Sequence, residues 1–245
     1  MKHNLRITII LLILFLTTQI IGLAVVNFYL NNQIPYGFDQ SQNIQQTDNF
    51  YLQVFLSFIS AFVIAILIAF FLMKRESIWF IRIWFFIVVA LALGITINVL
   101  IGNILYSNLI ALTIGAILSY IKTFKKNIIV HNLTELLIYP GIAAIFVSML
   151  NLKFTIILLI LISIYDMWAV WKSGIMQKMA KFQMNSVVIF SGFLITYADK
   201  KTKNKIRLLK QKYKNNIPQN ILKKSKLKIS MAILGGGDII FPIVA

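Results

Sequence analysis

Two aspartates of this sequence stand inside apolar stretches, where charged side chains are rare and costly. Asp166 lies in LISIYDMWAVW, and Asp238 follows three glycines in LGGGDIIFPIVA. The other five acids lie in predicted loops or near the end of a predicted span: Asp39, Asp48, Glu76, Glu135 and Asp199. Two carboxyl groups that face each other at depth can share a proton, so that one activates a water while the other donates to a carbonyl oxygen. The pair therefore predicts peptide hydrolysis.

The elements that must position these two residues are membrane helices. Hydrophobic residues make up 59% of the 245 positions and charged residues 13%, whereas about a quarter of a soluble domain is charged. Apolar runs long enough to cross about 30 Å of hydrocarbon predict an all-α polytopic membrane protein with about seven spans: 7–30, 51–73, 78–101, 103–121, 129–150, 152–171 and 229–245. The sequence divides accordingly into a six-helix region 1–171, a loop 172–228 and a last span 229–245.

The basic residues predict the orientation. Alternate connections place 23 of the 24 Lys and Arg residues on one side and only Lys153 on the other. Cytoplasmic loops carry this excess, so the N-terminus, an uncleaved first span and the loop 172–228 are predicted to be cytoplasmic. At 1.5 Å per residue, Asp166 and Asp238 lie roughly 9 Å and about 15 Å inside the cytoplasmic ends of antiparallel spans six and seven. Both carboxylates are therefore predicted at comparable depth.

The loop 172–228 accounts for most of the net charge of +17. Because it lacks interleaved aromatic residues for stacking on bases, its charge favours attraction to anionic lipid over nucleic-acid binding. Its beginning, 172–184, is predicted to form an amphipathic interfacial helix. The segment 186–197 is too short to span the membrane and predicts either a strand or a buried interfacial piece.

Three consecutive glycines before Asp238 predict an irregular backbone, since glycine tolerates unusual dihedral angles. A substrate helix must be opened before its carbonyl groups can be attacked, and exposed backbone beside Asp238 could pair with the extended substrate by strand addition. The alternative is that the glycines only permit close helix packing. Pro242 could in addition kink the span.

Tyr165-Asp166 in span six and Gly235-Gly236-Gly237-Asp238 in span seven, preceded by Leu234, resemble the YD and GxGD motifs of the presenilin and signal peptide peptidase family of intramembrane aspartyl proteases. The resemblance implies that Asp166 and Asp238 are the catalytic pair and that Tyr165, Leu234 and the three glycines are motif residues close to the substrate. Presenilins have a cytoplasmic N-terminus, so the predicted orientation resembles that of the presenilin branch, in particular its archaeal homologues. The substrates implied are transmembrane helices of membrane proteins. The family continues through two further helices with a Pro-Ala-Leu motif, which this sequence lacks, so a fragment or truncated chain with little activity is expected.

Two other function classes remain open. Asp166 and Asp238 could relay protons or bind a cation in an ion-coupled transporter or channel, or the chain could be an inactive membrane scaffold. Metalloprotease chemistry is not expected, because the two histidines, His3 and His131, form no HExxH motif. No cofactor or metal is predicted, and His131 and Glu135, four residues apart, indicate an interfacial pair. The oligomeric state is left open.

Overall fold

The computed structural model describes residues 5–38, 48–75, 77–102, 104–125, 127–168, 171, 191–198, 202 and 229–245. These residues form seven α-helices and two β-strands: α1 Leu5–Leu30, α2 Asp48–Arg75, α3 Ile78–Ile101, α4 Ser107–Phe124, α5 Ile128–Met149, α6 Leu152–Trp168, β1 Gly192–Ala198, β2 Ile229–Gly235 and α7 Gly236–Val244. The all-α prediction is confirmed for the bulk of the described chain, to which the structure adds one small sheet.

Helices α1 to α5 are each long and apolar enough to cross a membrane. Their outward faces carry large apolar side chains, which suit contact with lipid rather than water. Helix α6 has 17 described residues, at the short end of the range of roughly 17–25 for a spanning helix. The protein is therefore an integral membrane protein with several spans.

The centre of the fold is the packing of α3 against α4 and α5, where two glycines allow backbones to approach closely. A Cβ at Gly115 of α4 would lie 2.8 Å from the Ala90 carbonyl oxygen, and one at Gly141 of α5 would collide with the Ala92 carbonyl. Small residues at crossings strengthen dispersion contacts between membrane helices. The hydroxyl of Thr96 also donates to the Leu137 carbonyl of α5 at 2.7 Å. Helix α5 is therefore the central element against which α7 and the small sheet also pack.

Helix α7 is held between α1 and α5. The Gln19 amide of α1 donates a hydrogen bond of 3.0 Å to the Ile239 carbonyl, and Gly22 leaves room for Ile243, whose Cδ1 would lie 2.7 Å from a Cβ there. Ile239 and Ile243 are buried in one core cluster with Tyr139 of α5. These contacts fix the helix that carries Asp238.

Helix α6 packs with α2 through aromatic side chains. Phe55 and Phe154 lie with ring centroids 5.3 Å apart, and Phe58 stacks on Phe146 of α5 at 5.2 Å. Because Phe146 belongs to α5, this last contact also joins the α2–α6 pair to the central helices.

The prediction of one helical span over 229–245 is wrong in its first half. Strand β2 occupies Ile229–Gly235 and pairs antiparallel with β1 in a register that opposes Gly192 to Gly235 and Ala198 to Ile229. Helix α7 then covers only 9 residues, about 14 Å of rise. Hydropathy does not separate a short buried strand from a buried helix, and here pairing with β1 decides the conformation.

Part of the predicted loop 172–228 is described. Strand β1, Gly192–Ala198, confirms the strand alternative for the apolar segment 186–197, of which residues 186–190 lie outside the described part of the chain. The predicted interfacial helix 172–184 and most of the basic residues of the loop also lie outside it.

Candidate active site

Asp166 is presented by α6, two residues before the described end of that helix at Trp168. Its side chain is exposed on the protein surface. The preceding Tyr165 is half-buried and packs edge-on against Phe62 of α2, with ring centroids 5.5 Å apart. This contact joins α6 to α2 at the residue before Asp166.

Asp238 lies in the first turn of α7. Gly235 precedes this helix in an extended conformation, with φ −65° and ψ 148°, so the chain changes from strand to helix over the glycines. A Cβ at Gly235 would lie 3.2 Å from Asp238 Oδ2, which is a tight contact. The carboxylate therefore folds back over backbone that carries no side chain.

The two predicted acids are near enough for the Asp238 carboxylate to influence the Asp166 carboxylate electrostatically, although the two residues are 72 positions apart and belong to different helices. Both side chains are exposed at the protein surface rather than buried in the core. Neither carboxyl group is therefore enclosed by the described part of the protein.

The three glycines have different surroundings. Gly236 is packed most tightly, because a Cβ there would lie 2.9 Å from Cε1 of Tyr139 and 3.0 Å from Oγ of Ser191. At Gly237 the nearest atom would be Phe241 Cε2 at 3.4 Å, an ordinary contact. Leu234 lies in β2, opposite Phe193, and packs at the edge of the buried cluster around Tyr139. The motif thus rests on α5 through Gly236 and Leu234.

The sheet beside this motif is anchored to the beginning of α5. Nε2 of His131 lies 2.9 Å from the Gly192 carbonyl oxygen. The Asn132 amide donates to the Leu194 carbonyl at 2.9 Å and accepts from the Leu194 amide at 3.0 Å. In the part of the chain that the structure describes, the sheet has only two strands, so β2 keeps one edge without a strand partner.

An apolar cavity of about 390 Å³ is lined in part by residues close in sequence to the two acids. Its walls come from α2, α5, α6 and α7, and among the lining residues are Tyr165, next to Asp166, and Phe241, three residues after Asp238. The cavity was not predicted from the sequence, because its walls come from helices far apart in the chain. Within the described residues no group of three or more His, Asp or Glu side chains could hold a metal ion.

Comparison with known proteins gives few matches. No protein-family model matches the sequence, and no curated protein matches it. The chain is similar to a solved structure described as a presenilin family intramembrane aspartate protease, with 19% sequence identity and a TM-score of 0.47. The superposition covers 71% of this chain and 68% of that one.

Proposed function

We propose that this protein is an intramembrane aspartyl endopeptidase that hydrolyses peptide bonds within transmembrane helices. The observation that carries the proposal is the electrostatic influence of Asp238 on Asp166, together with an apolar cavity that Tyr165 and Phe241 line. A carboxyl pair suits hydrolysis because one member can take a proton while the other gives one. The YD and GGGD motifs, which resemble those of the presenilin and signal peptide peptidase family, support the same reaction.

The chemistry requires one proton shared by the two carboxyl groups. The ionised aspartate removes a proton from a water whose oxygen attacks the substrate carbonyl carbon, while the protonated partner donates to the carbonyl oxygen. The tetrahedral intermediate then collapses: the amide nitrogen takes the proton that the base aspartate removed from water, and the C–N bond breaks. One hydroxyl of the intermediate gives its proton to the other aspartate as the new carboxyl group forms, which restores the single shared proton. Either Asp166 or Asp238 can begin as the base, because the two carboxyl groups have symmetric roles.

The cavity would accommodate part of the substrate. Its lining is almost wholly apolar, with side chains such as Phe62, Leu161 and Ile162, so it suits the side chains of a transmembrane helix. The strand β2 ends at the glycines that precede Asp238. Its second edge, which has no strand partner among the described residues, could accept an unwound substrate segment by strand addition. Together these surfaces would hold an extended substrate across the two acids.

The topology belongs to the same proposal. A cytoplasmic N-terminus and loop, supported by the division of basic residues, place the acids in the cytoplasmic half of the membrane. The basic loop 172–228 would then lie against anionic lipid of that leaflet. Strand β1 belongs to this loop and is bound to the N-terminal end of α5. That end of α5 is the one predicted to face the cytoplasm.

Filling the cavity tests the proposed substrate site. Ile162 lines the cavity, whereas Ile160 on the same helix is 56% exposed on the outer surface. Ile162→Trp is expected to raise KM for a transmembrane peptide about tenfold, or about 1.4 kcal/mol, because the larger side chain would occupy cavity volume that the substrate side chains need. Mass spectrometry of peptide cleaved by the purified protein in lipid vesicles measures the effect.

The matched control is Ile160→Trp, which places the same side chain outside the cavity and is expected to leave KM unchanged. A peptidic transition-state mimic directed at aspartyl proteases should block cleavage by the parent protein. Equal KM values for the two tryptophan variants would remove the cavity from the substrate site. Absence of cleavage by the parent, with ion flux across the same vesicles, would favour a transporter instead.

A further inference from the structure

One face of α5 carries three functional side chains four residues apart: His131, Glu135 and Tyr139. Residues at this spacing lie one above the other on an α-helix. Glu135 and Tyr139 are each 1% exposed. The stripe runs from the sheet at the beginning of α5 to the glycines before Asp238, and the proposed catalytic chemistry makes no use of it.

Glu135 is the buried charge in this stripe, and its partner comes from α4. The Lys122 ammonium pairs with Glu135 Oε1, and the two side chains are 2% and 1% exposed. His131 Nε2 lies 3.7 Å from the same oxygen. An ion pair removed from water this completely is often no more stable than an apolar packing of similar volume. Its contribution to folding therefore does not by itself account for its presence.

The second carboxylate oxygen of Glu135, Oε2, is buried as well. The Tyr139 hydroxyl faces the Glu135 carboxylate and Ser191, yet neither Glu135 Oε2 nor Tyr139 Oη completes a hydrogen bond of good geometry to the residues that the structure describes. The Tyr139 ring in turn packs on Gly236, where a Cβ would lie 2.9 Å from it. A rotation of the Tyr139 ring would therefore move the backbone two residues before Asp238.

The other end of the stripe reaches the same glycines through the sheet. His131 contacts the Gly192 carbonyl, and Gly192 is the register partner of Gly235. Gly235 in turn lies against the Asp238 carboxylate. Glu135 contacts His131 and faces Tyr139. Two chains of contacts therefore connect it to consecutive residues of the glycine motif: one through His131 and Gly192 to Gly235, the other through Tyr139 to Gly236.

We propose that Glu135 is a positioning residue. Through Tyr139 it holds the backbone at Gly236, and through His131 it holds the backbone at Gly235. It thereby sets the position of Asp238 relative to Asp166. The inference rests on the proposed function, since it assigns Glu135 a part in that reaction. Glu135 touches neither the substrate site nor either aspartate, so its effect should fall on kcat rather than on KM.

Two double variants separate positioning from the ion pair as such. Lys122→Met/Glu135→Gln and Lys122→Met/Glu135→Leu both remove the two charges, so neither leaves an uncompensated buried charge. Only Gln keeps polar atoms toward Tyr139 and His131. We expect the Gln variant to retain kcat within about threefold and the Leu variant to lose about tenfold or more with KM unchanged, because a small misplacement of a reacting group is costly.

A readout that needs no proteolysis accompanies the kinetics. The chain has no cysteine, so Leu194→Cys/Ile233→Cys, an opposed pair of β1 and β2, reports by its rate of disulfide formation how firmly the sheet is held in register. We expect a several-fold slower rate in the Leu background than in the Gln background. Equal kcat or equal disulfide rates in the two backgrounds would overturn the proposal, as would a loss confined to KM.

The proposed function fails in a different way. If the variants that lack Asp166 or Asp238 cleave the peptide as fast as the parent protein, the aspartyl protease assignment is lost. In that case the disulfide rates still decide whether Glu135 holds the sheet and the glycines in place.

Discussion

Asp166→Asn and Asp238→Asn are each expected to lower the rate of transmembrane peptide cleavage by about 10³-fold or more. Asparagine keeps nearly the same shape but can neither take a proton from water nor share one with the remaining aspartate, and general acid–base catalysis alone contributes about 10²–10⁴-fold. The measurement is mass-spectrometric detection of cleavage products from the purified protein in lipid vesicles.

Both side chains are exposed, so the substitutions should leave the free energy of unfolding nearly unchanged. The two variants should be equally inactive and the double variant no worse than either, because residues that act as one unit are not additive. Cleavage that survives in either single variant at more than a few per cent of the parent rate would contradict the dyad.

Glu135→Leu alone is expected to lower the free energy of unfolding by about 3–5 kcal/mol. The change leaves the Lys122 ammonium buried without its partner, and an uncompensated buried charge costs about this much. Adding Lys122→Met should restore most of the loss, since an apolar pair of similar volume replaces the ion pair without desolvating a charge. Unfolding by SDS in mixed micelles measures the three proteins side by side.

The control for this series is Lys125→Met. Lys125 lies three residues after Lys122 but is exposed, so removal of its charge should change the free energy of unfolding by less than about 0.5 kcal/mol. If Glu135→Leu and the double variant were equally unstable, the ion pair would not be the cause of the loss, and Leu at position 135 would itself be incompatible with the core.

Hydropathy predicted the membrane helices α1 to α5 because it follows from the lipid solvent rather than from tertiary detail. The two acids could be singled out for a related reason, since a carboxylate in an apolar run stands out without any knowledge of the fold. Strand β2 was missed because Ser230 to Leu234 is as apolar as a span, and only the partner strand β1 distinguishes the two conformations. The glycines predicted an irregular backbone, and the change from strand to helix occurs there.

The contacts that hold the site could not be read from the sequence. Lys122 was assigned to a loop, although α4 continues to Phe124 and carries its ammonium into the protein beside Glu135. His131 and Glu135 were predicted as an interfacial pair, and their spacing gave no sign of the third partner, Lys122. The packing of Tyr139 on Gly236 joins residues 97 positions apart. A buried acid facing a basic residue at the end of a neighbouring span is the signal that a search for interhelical charge pairs could have used.

The juxtaposition of Asp166 and Asp238 can be measured directly by cross-linking. In a chain with no native cysteine, Asp166→Cys/Asp238→Cys places the only two thiols on α6 and α7. Trypsin cuts the basic segment 172–228, which holds 15 Lys and Arg residues, and so separates the two helices covalently. Ile160→Cys/Asp238→Cys, about 9 Å further along α6, is the control pair.

We predict that oxidation, or a short bifunctional thiol reagent, keeps the two tryptic fragments of Asp166→Cys/Asp238→Cys joined on a non-reducing gel, and that the control pair separates. Fragments that separate in both proteins, while circular dichroism and trypsin resistance of the helices show a native fold, would place the two aspartates apart and contradict a shared catalytic water.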